Sequence, residues 1–303
     1  MSTKKFVVCD LGSIETRGTG WVAACDSILN VFKEGKDAYV DFGTRMYHLS
    51  YDELDPDFPG LSKQEKSDRK DLRQICKPAV LGCGYGLGGG DIGYDKNDDE
   101  IKTGLWGYAE NMGIAMSKEQ SHDSVRVYRE AYPEVCAAWR KLEKAAVLAC
   151  QTGLPHTCCH VLFQAKPGKL LQIVLPNGRA LNYIRPSLEL KGEWNGEPQY
   201  KLRYEGVPTG YHGVWGSIAT WGGKIMENVV QALSRDILAE SMLRAHEKGF
   251  TIVGHCHDEI ICEEDVNGPL GLKELRECMV ETLSWAPDLP LDADGWEDEV
   301  YHK

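Results

Sequence analysis

Thr251–Glu264 reads TIVGHCHDEIICEE: two apolar arms, Ile252-Val253 and Ile260-Ile261-Cys262, flank a polar turn carrying His257, Asp258 and Glu259. This pattern predicts a β-hairpin whose arms are buried while its tip stays wet. A carboxylate at such a tip, with a second acid beside it, stands on rigid scaffold and suits a divalent ion. A surface turn with two solvated acids is written in the same letters. A second acid near the start of the chain and a cationic helix between the two favour the first reading.

With 303 residues, 42% hydrophobic and 26% charged, the chain can bury a large core, as one large domain or two coupled lobes. It holds no window of eighteen or more apolar residues, and its start, MSTKKFVVCD, lacks the apolar core of a signal peptide. The expectation is a cytoplasmic protein, in the host cell cytoplasm if viral, with no membrane partner. The eleven cysteines are scattered, odd in number and mostly inside apolar runs, as reduced thiols are. A net charge of −12 counts against a protein that simply coats phosphates. Local cationic stripes such as SDRKDLRQICK (Ser67–Lys77) can coexist with acids gathered elsewhere, at Tyr51–Asp57 and Asp294–Glu299.

Near the N-terminus, FVVCD (Phe6–Asp10) runs into LGSIETR and GWVAACDSILNVFKEG. A strand ending at Asp10 and a helix from Ser13 or Ile14 would put Asp10 at a sheet edge, where sites commonly lie; a helix N-cap is the other reading. Glu15 and Arg17 then fall in the first helical turns. From Lys63 to Leu81 the pattern is helical, and Arg69, Arg73 and Lys77 recur every four residues. They share a face able to grip a polyanion, although a solvated charged face looks the same. Pro78 is expected to bend or restart that helix. The glycines of LGCGYGLGGGDIGY (Leu81–Tyr94) follow a helix where a dinucleotide fingerprint precedes one, so that reading fails; they let backbone approach a ligand and bend.

Val125–Cys150 predicts a long amphipathic helix broken at Pro133. Asn177-Gly178 is a hairpin signal, YKLRYEG at Tyr200 is a further strand, and Gly222–Ala245 is a helix with an apolar stripe. Gln231 sits inside this otherwise packed helix, where an amide takes either a core hydrogen bond or a ligand. His156, Cys158, Cys159 and His160 form a metal-like cluster, but adjacent cysteines strain a tetrahedral site, so zinc is left out.

Taken in order, these stretches resemble the polymerase portion of the family A DNA polymerases, the group of bacterial DNA polymerase I, and especially its bacteriophage members. DLGSIETR, with Asp10, resembles the motif DYSQIELR. RQICKPAVLGCGYG matches the family's Arg, three residues, Lys, seven residues, Tyr-Gly with Arg73, Lys77, Tyr85 and Gly86, and His257-Asp258-Glu259 matches the third motif. LPNGR, GGKIMENVVQA and SWAPDLPLDADGWEDEVYHK also read like the phage relatives, so the likeness spans almost the whole chain.

The resemblance implies an α+β fold: right-hand polymerase palm and fingers, lacking most of the thumb and any 3′–5′ exonuclease domain. It divides the chain into 1–36 palm, 37–150 fingers, 151–210 β-rich insertion and 211–303 palm. It implies a template-directed DNA polymerase acting on dNTPs and a DNA primer-template, as the catalytic subunit of a split phage polymerase whose second polypeptide carries thumb and exonuclease. The alternative is a non-catalytic DNA-binding or assembly subunit with a polymerase-like body. By resemblance Asp10 and Asp258 hold two Mg2+ ions, with Glu259 a secondary catalytic acid. Arg73 and Lys77 bind the triphosphate, Lys77 also protonating the leaving group. Tyr85, Leu81 and Glu15 complete the dNTP site, Glu15 as the gate against a ribose 2′-hydroxyl, while Gln231, His257, Arg17 and Asn228 contact DNA. Gly12-Ser13 and Leu81 depart from the family's usual Ser-Gln and aromatic residue, and Pro78 after the lysine is also a departure.

Overall fold

Residues 3–95, 98–194, 196–208 and 213–302 are described by a computed structural model. β1 (Lys4–Leu11) leads to α1 (Ile14–Ala23), α2 (Asp26–Lys33), α3 (Ala38–Tyr47), α4 (Tyr51–Leu54) and the long α5 (Lys63–Gly84). A short pair, β2 (Ile92–Tyr94) and β3 (Glu100–Lys102), precedes α6 (Gly104–Asn111), α7 (Lys118–Ala131) and α8 (Pro133–Thr152). Six strands follow: β4 (His156–Cys158), β5 (Val161–Lys166), β6 (Leu170–Val174), β7 (Ala180–Trp194), β8 (Glu197–Gly206) and β9 (Gly216–Thr220). The chain closes with α9 (Gly222–Lys248), β10 (Ile252–Cys256), β11 (Glu259–Asp265), α10 (Leu272–Val280) and β12 (Ala293–Asp298). Two compact units result, Met1–Gly18 with Val229–Lys303, and Thr19–Asn228.

In the first unit the sheet order is β10-β11-β1-β12, antiparallel throughout. β1 lies inside it because its Val7, Val8, Cys9 and Leu11 are all buried, as a strand covered on both faces requires. β12 can lie alongside only because residue 295 is glycine: a Cβ there would stand 2.0 Å from the Val8 carbonyl oxygen. α10 packs against β1 and β12. The loop delivering Asp10 is tied down from the far end of the chain. Gly12 N–H donates to the Asp292 carbonyl (2.9 Å), and Arg17 donates to the carbonyls of Gly12 (2.6 Å) and Pro290 (3.0 Å). Arg17 is 6% exposed, so the cation expected to touch DNA is instead a buried clamp.

In the second unit α8 covers one face of the six-stranded sheet, where Val161, Phe163, Leu171 and Ile173 are buried. Pro133 breaks the predicted Val125–Cys150 helix by opening α8 at its first turn, a position that needs no N–H. Asn177-Gly178 makes the expected tight turn, with Gly178 at φ 88° and Leu175 N–H bonded to the Arg179 carbonyl at 2.7 Å. α5 overturns part of one expectation: the helix does not restart at Pro78. It opens on a Ser62–Glu65 capping box and runs unbroken through Pro78. The proline frees the carbonyl of Gln74, and Gln74 is exposed, where water can serve it.

Replacing Arg17 by Met keeps the buried stem and strips two carbonyls of their donor. A loss of about 2 kcal/mol is expected, read as a lowered denaturant midpoint at unchanged m-value.

Candidate active site

Asp10 is the penultimate residue of β1 and is exposed between buried Cys9 and Leu11. It belongs to a strand, four residues ahead of α1, and is no helix cap. Strand register then fixes its neighbours: Glu259 of β11 on one side and Asp294 of β12 on the other. Directly opposed residues share a sheet face. Asp258 precedes Glu259, and its carbonyl accepts from Leu11 N–H at 3.1 Å. The turn that carries the late acid is thus hydrogen-bonded to the strand that carries the early one.

The hairpin pairs Cys256 with Glu259, so its tip is only His257-Asp258. Glu259, expected at the wet tip, is the first residue of β11 and 7% exposed; a two-residue turn leaves it no room outside the ladder. Tyr301 donates its hydroxyl to Glu259 Oε1 at 3.0 Å. That bond to a carboxylate holds the Tyr301 phenol above its ordinary pKa, protonated and donating. His257 is exposed and sits at φ 53°, the first central position of a turn where glycine is usual. Ser13, at φ 52°, is the other non-glycine in the left-handed region among the described residues of this unit. Strain of this kind brackets both acids and collects at functional sites.

Burial pushes the Asp10 carboxyl up from its ordinary value, and the charges of Asp258, Glu259 and Asp294 push it further. Asp294 was legible only as part of a closing acidic run; nothing local in DADGWEDE shows that it pairs with Asp10. Among the described residues no group of three or more His, Cys, Asp or Glu is arranged to hold a metal ion by itself. Mg2+ is commonly held by one or two carboxylates plus substrate phosphates, and the mutual repulsion at Asp10 is relieved by a cation. The donor set, of carboxylate oxygens, suits a hard divalent cation shared with substrate phosphates. It does not fit a closed zinc cage, nor does the His156–His160 cluster, whose His160 is stacked on Trp21 at 4.0 Å.

In the second unit the cationic stripe of α5 is largely engaged. Arg69 donates to the carbonyls of Asp52 and Asp55. Arg73 gives two bonds, of 3.0 and 2.7 Å, to Asp37 Oδ2 and lies 4.9 Å from the Tyr39 ring centroid. The other Asp37 oxygen caps α3. Lys77, half-buried, borders a groove of about 480 Å3 with Gln74, Ile75 and Ile114. Half-buried Leu81 lies one turn further along, and Tyr85 is the C-cap of α5.

The glycines beyond Tyr85 admit a side chain. A Cβ on Gly86 or on Gly223 would come within 2.3 Å of the Trp221 ring, so both are glycine because the indole lies against them. Half-buried Asn228 donates to the Tyr183 hydroxyl at 2.8 Å, which gives that amide a protein partner. Gln231, expected inside the packed helix, is exposed: the apolar stripe of α9 turns away from it. Glu15 is half-buried in the first turn of α1.

Over 299 residues the chain is 32% identical to a DNA polymerase of Bacillus phage SP02, which covers 99% of this chain and 41% of that protein. Its fold matches the polymerase domain of Pol1 from M. smegmatis, in complex with DNA primer-template and dNTP, at a TM-score of 0.56. The chain is polymerase-like. That structural match has 17% identity and covers 97% of this chain and 39% of the other, and it bears out the α+β polymerase fold. No protein-family model matches the polymerase-like chain. It spans about two-fifths of the length of these relatives. Among its described residues no helix is long and apolar enough to cross a membrane.

A raised carboxyl pKa makes ionised Asp10 a cost to the fold. That cost is absent in acid, where folded and unfolded chains are both protonated, and grows as pH rises through the ordinary carboxylate range. Asp10→Asn should therefore raise the melting temperature of metal-free protein near neutral pH, with the gain over wild type vanishing in acid; calorimetry across pH checks the sign.

Proposed function

We propose that the chain catalyses template-directed DNA synthesis, joining dNTPs to a primer 3′-hydroxyl. The observation that carries this reading is the convergence of Asp10 on β1 with Asp258 in the turn that opens the adjacent β11, Asp10 being made harder to ionise by burial and by its acidic neighbours. Similarity to a phage DNA polymerase along 99% of the chain supports it.

In this reading Asp10 and Asp258 hold two Mg2+ ions, which when bound acidify the attacking hydroxyl and neutralise charge on the departing pyrophosphate. Glu259 adds fixed negative charge behind the pair. Arg73 exchanges its Asp37 partner for triphosphate oxygens, which its planar fork suits equally well. Lys77 delivers a proton to the leaving group. Tyr85 and Leu81 border the incoming nucleotide and Glu15 crowds the ribose 2′ position. Exposed Gln231 and His257 touch the primer-template, whereas Asn228 and Arg17, committed to Tyr183 and to loop carbonyls, act by holding shape. Residues 1–36 and 211–303 would form the palm, 37–150 the fingers and 151–210 an insertion. A second polypeptide bearing thumb and exonuclease would complete the assembly, and primer extension with and without a host-cell extract tests for it.

Two substitutions check the chemistry. Asp258→Asn removes a charged ligand worth several kcal/mol to the transition state and should lower primer extension about a thousandfold; retention of activity would exclude the two-acid mechanism. Glu15→Ala should raise the ratio of ribonucleotide to deoxynucleotide incorporation about tenfold or more, and no rise would remove Glu15 from sugar selection.

A further inference from the structure

Beyond β12 the chain turns back toward the acids. The Tyr301 ring meets Phe6 of β1 edge-on, with centroids 6.3 Å apart at 78°, and tilts against Trp296 of β12 at 5.7 Å. His302 stacks on the same Trp296 at 3.9 Å, fastening the segment on its far side. From this aromatic seat the Tyr301 hydroxyl reaches Glu259 Oε1. Glu259 is almost fully buried and is the register partner of Asp10. Among the described residues it takes part in no ion pair, and the side chain hydrogen-bonded to it is this neutral phenol.

The choice of donor matters. A buried carboxylate oxygen needs a donor, and an Arg or Lys in that place would add a positive charge beside the acids. A phenol satisfies one oxygen and restricts the rotamer while adding no positive charge to the cluster. We infer that Tyr301 is a positioning residue for the acid cluster, fixing the Glu259 carboxylate on the strand beside Asp10, so that the cluster attracts divalent cations more strongly than Asp10 and Asp258 alone. The inference rests on the polymerase reading only for its consequence in catalysis; its binding consequence stands separately.

Tyr301→Phe keeps the ring and its two aromatic contacts and removes a single oxygen. In the full chain, Mn2+ binding followed by electron paramagnetic resonance without DNA or nucleotide should weaken about tenfold, the usual scale for an outer partner of a metal site. In primer extension the half-saturating Mg2+ concentration should rise by a similar factor, with KM for dNTP unchanged. Glu259→Gln should reproduce both effects, and the double variant should be no worse than either single one, because one residue acts through the other. Unchanged Mn2+ affinity in Tyr301→Phe overturns the inference, as do multiplying losses in the double variant. A chain that never extends a primer yet loses Mn2+ affinity on Tyr301→Phe sinks the polymerase reading and keeps this one; one that extends primers with Mn2+ affinity indifferent to Tyr301 does the reverse.

Discussion

Strand register forces like charges together here, and the rest of the first unit is built to withstand that. β1 lies between β11 and β12, and Asp10 meets Glu259 and Asp294 across the two ladders. Since side chains alternate along a strand, a slip of one residue on either side would carry an acid to the opposite face. The register is pinned by apolar residues on both sides of β1 and by Gly295, whose lack of a side chain lets β12 close on Val8. Packing energy spent on Val7, Val8, Cys9 and Leu11 thus holds carboxylates that would otherwise separate.

The supports for this arrangement come from distant parts of the sequence. Carbonyls at 290 and 292 bind the loop after Asp10 through Arg17 and Gly12, and the left-handed Ser13 and His257 lie in the turn that follows one acid and the turn that holds the other. In the second unit the division of labour differs. Arg73 is held by Asp37, the same carboxylate that starts α3, so the charge of this one arginine has a local partner. An overall charge of −12 accordingly says little about either site, because what counts is which charges have local partners.

Much of this was legible in the sequence for identifiable reasons. The strand to Asp10, the hairpin at His257-Asp258 and the Asn177-Gly178 turn follow from periodicity and local turn chemistry, which few residues decide. Long-range pairing was not written locally: Asp294 reads as one acid in a run, and Tyr301 as one aromatic near the end, until β12 aligns them. Arg17 was misread because a cation near an acid at a helix start looks like a ligand contact, and only its burial against two carbonyls gives it a scaffold role. Pro78 was misjudged in the opposite direction, since a helix tolerates a proline when the carbonyl it orphans faces solvent. Glu259 was misplaced because whether a polar residue in an apolar stretch points inward depends on a phase of one residue that composition does not carry; the same phase leaves Gln231 exposed.

Trp221 is seated between Gly86, just past the end of α5, and Gly223, at the start of α9, and meets Trp139 of α8 at 6.4 Å. The indole therefore works as a shared axle: neither segment can rotate about it without the other following or the ring being expelled. A methyl group at either glycine would jam that bearing, and the ring, 42% exposed, carries a built-in fluorescence signal of how the neighbouring backbone is seated.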